Sequence, residues 1–168
     1  MRWIGAVAVF LCGGYFGFAI AASHKRDERN LRQIIIAIDY MECEMQYRLT
    51  PLPQLLEQVS RQMNGTVGVI FSQLALELGN QILPDVFCCM EAVLKKQKSI
   101  QAYSREALTM LGQCMGRFDL EGQLKELDSV RALCERHLNT LETNRDTRLR
   151  GYQTLGFCAG AALAILLL

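Results

Sequence analysis

The sequence predicts an all-α protein, a helical bundle flanked by an N-terminal and a C-terminal transmembrane helix. Uncharged apolar runs occupy both ends of the 168-residue chain, and all 17 acidic residues lie between them. In that middle part apolar residues recur at steps of three and four, the period of a helix with one buried face. No strand-like alternation of useful length interrupts the pattern.

The first element is an N-terminal span. The segment Trp3 to Ala22 contains 20 residues and no charge, which is the length a helix needs to cross a bilayer. Ala19-Ile20-Ala21 has the small-x-small form of a signal-peptide cleavage site, so a secreted protein with a C-terminal anchor remains an alternative. Against it, only Arg2 precedes the run, and the run is longer than a usual signal core. We assign residues 1–22 to transmembrane helix 1.

Residues 23–150 form one helical domain with equal numbers of acidic and basic residues, 17 of each. Thr50 is a candidate N-cap with Pro51 in the first turn, and Asp85, Ser104 and Asp119 are further candidate helix starts. Gly116 suits a helix end. The predicted apolar faces are Leu31, Ile34, Ile35, Ile38, Met41 and Met45; Leu52, Leu55, Leu56, Val59 and Met63; Val67, Ile70, Phe71, Leu74 and Leu78; Val86, Cys89, Met90, Val93 and Leu94; and Leu108, Leu111 and Met115.

The last helix is predicted to run from Leu120 into a C-terminal span. Residues 151–168 carry no charge, and the 17 residues from Tyr152 make roughly 25 Å of helix, close to the hydrocarbon thickness. A buried core helix is the alternative, but such a helix normally keeps one polar face. The sequence therefore favours transmembrane helix 2 at 151–168.

Charge sets the expected orientation. Lys25, Arg26, Arg29 and Arg32 follow the first span, and three Arg between 145 and 150 precede the second. Because positive residues stay on the cytoplasmic side, the central domain should be cytosolic. The seven Cys, an odd number without a C-x-x-C pair, also fit a reducing compartment better than a disulfide framework.

Three stretches resemble one protein family over the whole chain. "MECEMQYRLTPLPQLL" (41–56) resembles the L-E-x-E-x-x-Y-x-x-T-P-L stretch of stage III sporulation protein AB, with Met41 in place of the usual Leu. "LGQCMGRFDLEGQ" (111–123) is similar to that family's L-G-x-x-x-G-x-x-D-x-x-x-Q stretch, and the Gly- and Leu-rich ending also matches.

The resemblance implies a protein of endospore-forming bacteria in the mother-cell membrane around the forespore. Such proteins are similar to the inner-membrane platform protein of type II secretion and type IV pilus machines. The resemblance implies two kinds of partner, a cytosolic secretion-type ATPase and ring-forming membrane proteins, in a channel-like complex between the two cells. An unrelated membrane-anchored adaptor that binds some other partner helix remains the alternative.

The candidate partner-binding patch lies at the predicted break between the first two helices of the domain. Glu44 and Tyr47 are three residues apart, on the side of their helix away from the Ile stripe. An exposed acid and a Tyr beside the corner formed by Thr50, Pro51, Leu52 and Pro53 suggest a contact surface. A plain solvated face is the competing interpretation.

The first and last helices are predicted to pair antiparallel through rows spaced by three and four residues. The layers are Leu31 with Leu141, Ile35 with Leu138, Ile38 with Cys134, Glu42 with Arg131, Met45 with Leu127, and Leu49 with Leu124. The ion pair of Glu42 with Arg131 would penalise any slipped register. The alternative is that both side chains reach solvent separately.

Two further features concern packing in the membrane. Gly13 and Gly17, and likewise Gly156 and Gly160, form G-x-x-x-G motifs, which let helices approach closely in lipid. The predicted contacts are between the two spans or with a neighbouring subunit.

The sequence argues against an enzyme. His24 and His137 have no metal-ligand spacing to other ligands, and neither a phosphate-binding Gly loop nor G-x-S-x-G is present. The neutral middle domain lacks the basic face that nucleic acid requires. We therefore expect no catalytic residues, cofactor, metal or small-molecule substrate.

Overall fold

The fold is known from a computed structural model. It describes the backbone of residues 2–48, 50–80, 85–115 and 120–167, and the side chains of residues 25–48, 50–80, 85–115 and 120–143. Every element within these residues is an α-helix, so the all-α prediction is confirmed. The helices are α1 (Arg2–Tyr47), α2 (Leu52–Gln62), α3 (Gly65–Asn80), α4 (Val86–Lys96), α5 (Ala102–Cys114) and α6 (Leu120–Leu167).

The two longest helices are the first and the last, with 46 and 48 residues. Each runs unbroken from an uncharged end of the chain into the charged middle. Among the residues whose side chains are described, no helix is both long and apolar enough to cross a bilayer. The predicted spans at 1–22 and 151–168, with Gly13, Gly17, Gly156 and Gly160, lie outside those residues.

Four helix pairs run in opposite directions, which gives the bundle two ends. The contacts that fix the directions are Tyr40 with Gln58 and Gln33 with Asn64 for α1 and α2, Arg32 with Glu142 and Glu42 with Arg131 for α1 and α6, Leu94 with Arg105 and Met90 with Gly112 for α4 and α5, and Glu106 with His137 and Cys114 with Glu126 for α5 and α6. We call the end that holds residues 25 and 143 the terminal end. The opposite end, at the turn between α1 and α2, is the corner end.

Helix α1 lies at the centre of the bundle, because it packs against α2, α3, α5 and α6. Its apolar face, Leu31, Ile34, Ile38 and Met41, is fully buried. These side chains join one continuous core with residues of all the other helices. The predicted stripe is therefore the face that holds the bundle together.

Two predicted helix starts have different outcomes. Asp85 caps α4 as expected, since its Oδ1 accepts a hydrogen bond from the Cys88 N–H at 2.7 Å. Ser104 was expected to open a helix, but α5 begins at Ala102, and Gln101 at its N-cap makes no side-chain capping bond. The predicted caps Gly116 and Asp119 lie outside the described residues.

The missing cap of α5 is supplied by another helix. Asp27 of α1 accepts hydrogen bonds from the Ser104 N–H, at 3.0 Å, and from the Ser104 hydroxyl. Both residues are buried, with exposed fractions of 4% and 0%. A carboxylate at a helix N-terminus satisfies free N–H groups and favours the helix dipole. The contact fixes the start of α5 beside residue 27 at the terminal end.

Candidate interaction surface

The α1–α2 corner is built around Glu44. Its carboxylate accepts a hydrogen bond from the Thr50 hydroxyl at 3.2 Å and lies 3.4 Å from Arg48 Nη1. Only 7% of Glu44 is exposed, so the expectation of an exposed acid is wrong. The reason is tertiary: the chain turns after Tyr47 and brings Thr50 back over the carboxylate. Glu44 therefore holds the corner rather than presenting a charge.

Thr50 also departs from its predicted role. The N-cap of α2 is Pro51, without a side-chain capping bond, and Pro53 lies in the first turn. Proline is tolerated there because the first-turn N–H groups have no partner within the helix. The Thr50 hydroxyl is consequently free to bond Glu44, and the two form one turn-stabilising contact.

Tyr47 is the exposed member of the predicted patch. Its exposed fraction is 79%, the highest among the large hydrophobic residues that are exposed in the described part. Burying a large aromatic side chain is favourable by about 1.5–3 kcal/mol, and aromatic residues are enriched at protein interfaces. Tyr47 at this position is thus suited to contact another protein.

A small apolar depression opens at the same end of the bundle. Its lining comes from α1, α2, α6 and the end of α5: Met45, Leu52, Cys114, Met115, Gln123 and Leu127. Leu52 belongs to the predicted patch and Pro51 beside it is exposed. Leu120, which begins α6, is 41% exposed. Tyr47, Pro51, Leu52, Leu120 and the depression are called the corner surface below.

The predicted pair of Glu42 with Arg131, called the charged layer below, lies between the terminal end and the corner end of the bundle. Arg131 Nη2 is 2.7 Å from Glu42 Oε2, the contact that the predicted register requires. Asp39, one turn earlier on α1, also pairs with Arg131. Sequence reasoning missed Asp39, although its spacing of three residues from Glu42 places both acids on one side of the helix.

The surroundings of the Glu42 carboxyl disfavour its ionised form. Burial raises its pKa above the ordinary value, and although Arg131 opposes the rise, Asp39 and Asp128 add to it. The side chains of Glu42 and Arg131 are 23% and 29% exposed. The pair is therefore only partly desolvated, and its disruption should cost less than that of a fully buried pair.

Gly112, in the second family-like stretch, has a role that sequence reasoning missed. A Cβ built there would lie 2.8 Å from Met90 Cβ and 3.0 Å from Met90 Cγ, so α4 and α5 touch at this point. Only glycine permits this approach without a shift of one helix. The sequence feature that could have identified this role is a glycine on the buried face of the predicted helix.

Several potentially reactive side chains in the described part of the chain are buried or paired. Burial raises the pKa of Cys114 to about 11 and of Cys134 to about 12, which keeps both thiols protonated near neutral pH. His137 stacks on Tyr103 with ring centroids 4.3 Å apart. Within the described residues no three His, Cys, Asp or Glu side chains are grouped as a metal ion requires.

Comparison with known proteins places the chain in a family. Residues 2–168 match the family model of stage III sporulation protein AB. Stage III sporulation protein AB of Bacillus subtilis (strain 168) is 26% identical over 173 residues, covering 100% of this chain and 99% of the relative. A solved structure of stage III sporulation protein AB has a TM-score of 0.64 and 25% identity, covering 73% of this chain and 98% of the solved one.

Proposed function

Because the chain belongs to the stage III sporulation protein AB family, a family of sporulation proteins and not of known enzymes, we propose that it is a non-enzymatic, membrane-anchored platform in sporulation. In this proposal residues 1–22 and 151–168 span the mother-cell membrane that faces the forespore. The domain between them lies in the cytosol and binds a secretion-type ATPase, beside ring-forming membrane proteins of the same complex.

The uncharged terminal runs support the anchoring part of the proposal. They are long enough to span a bilayer, and basic residues crowd the domain side of each. Helices α1 and α6 continue from these runs into the bundle. A rigid domain held at one end presents its opposite end to the cytosol, about 37 Å from the end of the proposed span if α1 stays straight for the 25 residues between residues 22 and 47.

The corner surface supports the partner-binding part, and the exposure of Tyr47 is the observation that carries it. A 79% exposed aromatic side chain stands at the end of the bundle away from the termini, with an apolar depression at that same end. Aromatic anchors near apolar pockets commonly dominate binding energy at interfaces. The corner surface is therefore the proposed contact with the ATPase.

The test is binding between the purified 23–150 segment and the secretion-type ATPase of the same sporulating culture. Tyr47→Ala should weaken binding about tenfold or more, which corresponds to at least about 1.4 kcal/mol. Leu76→Ala is the matched control, because Leu76 is 65% exposed on α3 and lies outside the corner surface. Glu44 is not substituted, since its replacement would disturb the corner itself.

The outcomes separate the two candidate functions. Unchanged affinity of Tyr47→Ala with an intact far-UV CD spectrum contradicts the proposed contact. A pulldown with the 23–150 segment that recovers a different helical protein, and no ATPase, would favour an adaptor for another partner helix.

A further inference from the structure

The charges of the domain are divided between its two ends, although their sum is near zero. At the terminal end, residues 25–32, 91–106 and 135–143, together with Glu77 that pairs with Lys96, carry nine Lys and Arg against seven Asp and Glu. The remaining described side chains carry four Lys and Arg against eight Asp and Glu. The terminal end is therefore basic and the rest of the bundle acidic, an arrangement that only the antiparallel fold produces.

Part of the basic end comes from the turn between α4 and α5, far in sequence from either chain terminus. Lys95, Lys96 and Lys98 are exposed there, and we call them the basic turn. Lys95 lies 3.6 Å from Glu91 and Lys96 lies 2.8 Å from Glu77. Both lysine side chains are largely exposed, at 77% and 65%, although Glu77 is only 24% exposed. Ion pairs with such solvated partners are weak, and Lys98 is exposed beside them, so the basic turn remains available to another anion.

The basic turn has a fixed position. The Arg105 guanidinium donates hydrogen bonds to the Leu94 carbonyl at 3.0 Å and the Gln97 carbonyl at 2.9 Å, which ties the end of α4 to α5. Because the charge of Arg105 is used on these carbonyls, it is a positioning group for the turn.

The distance of the basic turn from the proposed membrane surface follows from the contact of Asp27 with Ser104. That contact places the start of α5 level with residue 27, five residues beyond the end of the segment 1–22 that we propose to span the membrane. Five residues of helix rise about 7 Å. A lysine side chain reaches this far, and the distance is within the Debye length of about 8–10 Å at physiological ionic strength.

We infer that the basic turn rests on the headgroups of an anionic phospholipid bilayer and forms a third membrane contact beside the two helical ends. The inference rests on the proposed spans at 1–22 and 151–168. Negative lipid surfaces attract basic segments near them. The three contacts hold the domain upright, with the corner surface directed into the cytosol.

Lipid fits this turn better than nucleic acid. Single-stranded nucleic acid is bound through aromatic side chains on which bases stack, but Tyr103, the aromatic residue nearest the turn in sequence, already stacks on His137. The basic turn also lies at the same end as the helices that continue into the uncharged segments. A lipid surface is the anionic partner that this placement brings within reach.

Lysine footprinting of the full-length chain tests the contact. The chain is reconstituted into nanodiscs of phosphatidylcholine, or of phosphatidylcholine with 30% phosphatidylglycerol, and acetylated briefly before mass spectrometry. The acetylation rate of Lys98 should fall about threefold to tenfold in the anionic discs and recover in 0.5 M salt. Lys125, exposed on α6 near the corner end, is the internal control and should react equally in both discs.

A variant with Lys95, Lys96 and Lys98 changed to Gln extends the test. Its Lys25, which adjoins the first span, should stay protected, showing that the domain remains at the membrane. Equal rates for Lys98 in the two discs, or protection of Lys98 by a DNA oligonucleotide and not by phosphatidylglycerol, would overturn the lipid contact. Release of the chain from the discs by salt would instead overturn the spans, and the lipid contact with them.

Discussion

The two ends of the bundle hold their buried acids in different ways. At the terminal end, Asp27 and Ser104 are both buried. They are 77 residues apart in sequence, and their contact connects α1 with α5. At the corner end, Glu44 bonds Thr50, only six residues away, in a longer contact of 3.2 Å. The first contact joins parts of the fold and the second stabilises a turn, so stability should depend more on the terminal end.

This difference fits the two tasks that we propose for the domain. The terminal end is polar, basic and tied together across the chain, as the proposed anchoring requires. The corner end exposes Tyr47 and an apolar depression, features that serve contact with a partner better than stability. The three predictions that follow test whether the ends differ as described, beginning with the largest effect.

The largest effect is expected from Asp27→Ala. It leaves the Ser104 N–H and hydroxyl buried without their acceptor and removes the cap of α5. Unsatisfied buried donors cost about 1–3 kcal/mol and a lost cap about 1 kcal/mol, so the free energy of unfolding should fall by about 2–4 kcal/mol. Urea unfolding of the 23–150 segment, followed by far-UV CD, measures it.

The matched change at the other end is Glu44→Ala. It should cost about 1 kcal/mol, because it removes a longer hydrogen bond whose partner, Thr50, is only half-buried. Asp27→Asn keeps an acceptor oxygen and should fall between the two. If Glu44→Ala proves as costly as Asp27→Ala, the proposed difference between the ends is wrong.

A second prediction concerns α4 and α5, which touch at Gly112 between the two ends of the bundle. Gly112→Ala places a Cβ 2.8 Å from Met90 Cβ, which forces α4 and α5 apart and should destabilise by about 1–3 kcal/mol. Gly79→Ala is the control, because nothing lies within 4 Å of a Cβ there. Replacing a helical glycine without a clash should stabilise by about 0.5–1 kcal/mol. The midpoint of thermal unfolding should therefore fall in Gly112→Ala and rise in Gly79→Ala. Equal shifts in the two variants would contradict the close approach of α4 and α5.

The third and smallest effect concerns the charged layer between the ends. Arg131→Met leaves Asp39 and Glu42 facing each other and should cost about 1–2 kcal/mol, below the cost of a fully buried pair. Glu42→Gln should change stability by less than about 1 kcal/mol. A double-mutant cycle with both changes should show coupling; additive effects would mean that the two residues do not interact in solution.

The pH dependence of this layer has a definite sign. The folded-state pKa of Glu42 is raised, so the folded protein holds that proton more tightly than the unfolded chain. Its contribution to stability is present below the ordinary carboxyl pKa and is lost as the pH rises through the higher folded pKa. Glu42→Gln should therefore gain stability relative to the native sequence between about pH 4 and pH 7. A loss over that range would indicate a lowered pKa.

Much of the fold could be predicted from the sequence because helices are local. The apolar period placed the buried face of α1, and the aspartate before α4 proved to be its cap, since both depend on residues within one or two turns. The pairing of Glu42 with Arg131 also follows from spacing along two helices. The resemblance to stage III sporulation protein AB rested on short ordered stretches of the same kind.

What the tertiary structure alone decided are contacts between segments distant in sequence. The burial of Glu44 depends on how the chain turns back after α1, and the capping of α5 by Asp27 depends on how α5 returns to the terminal end. The basic turn reaches that end because α4 and α5 are antiparallel and touch at Gly112. Periodicity shows which face of a helix is buried, but not which helix covers it, because that choice depends on packing and hydrogen bonding across the whole bundle.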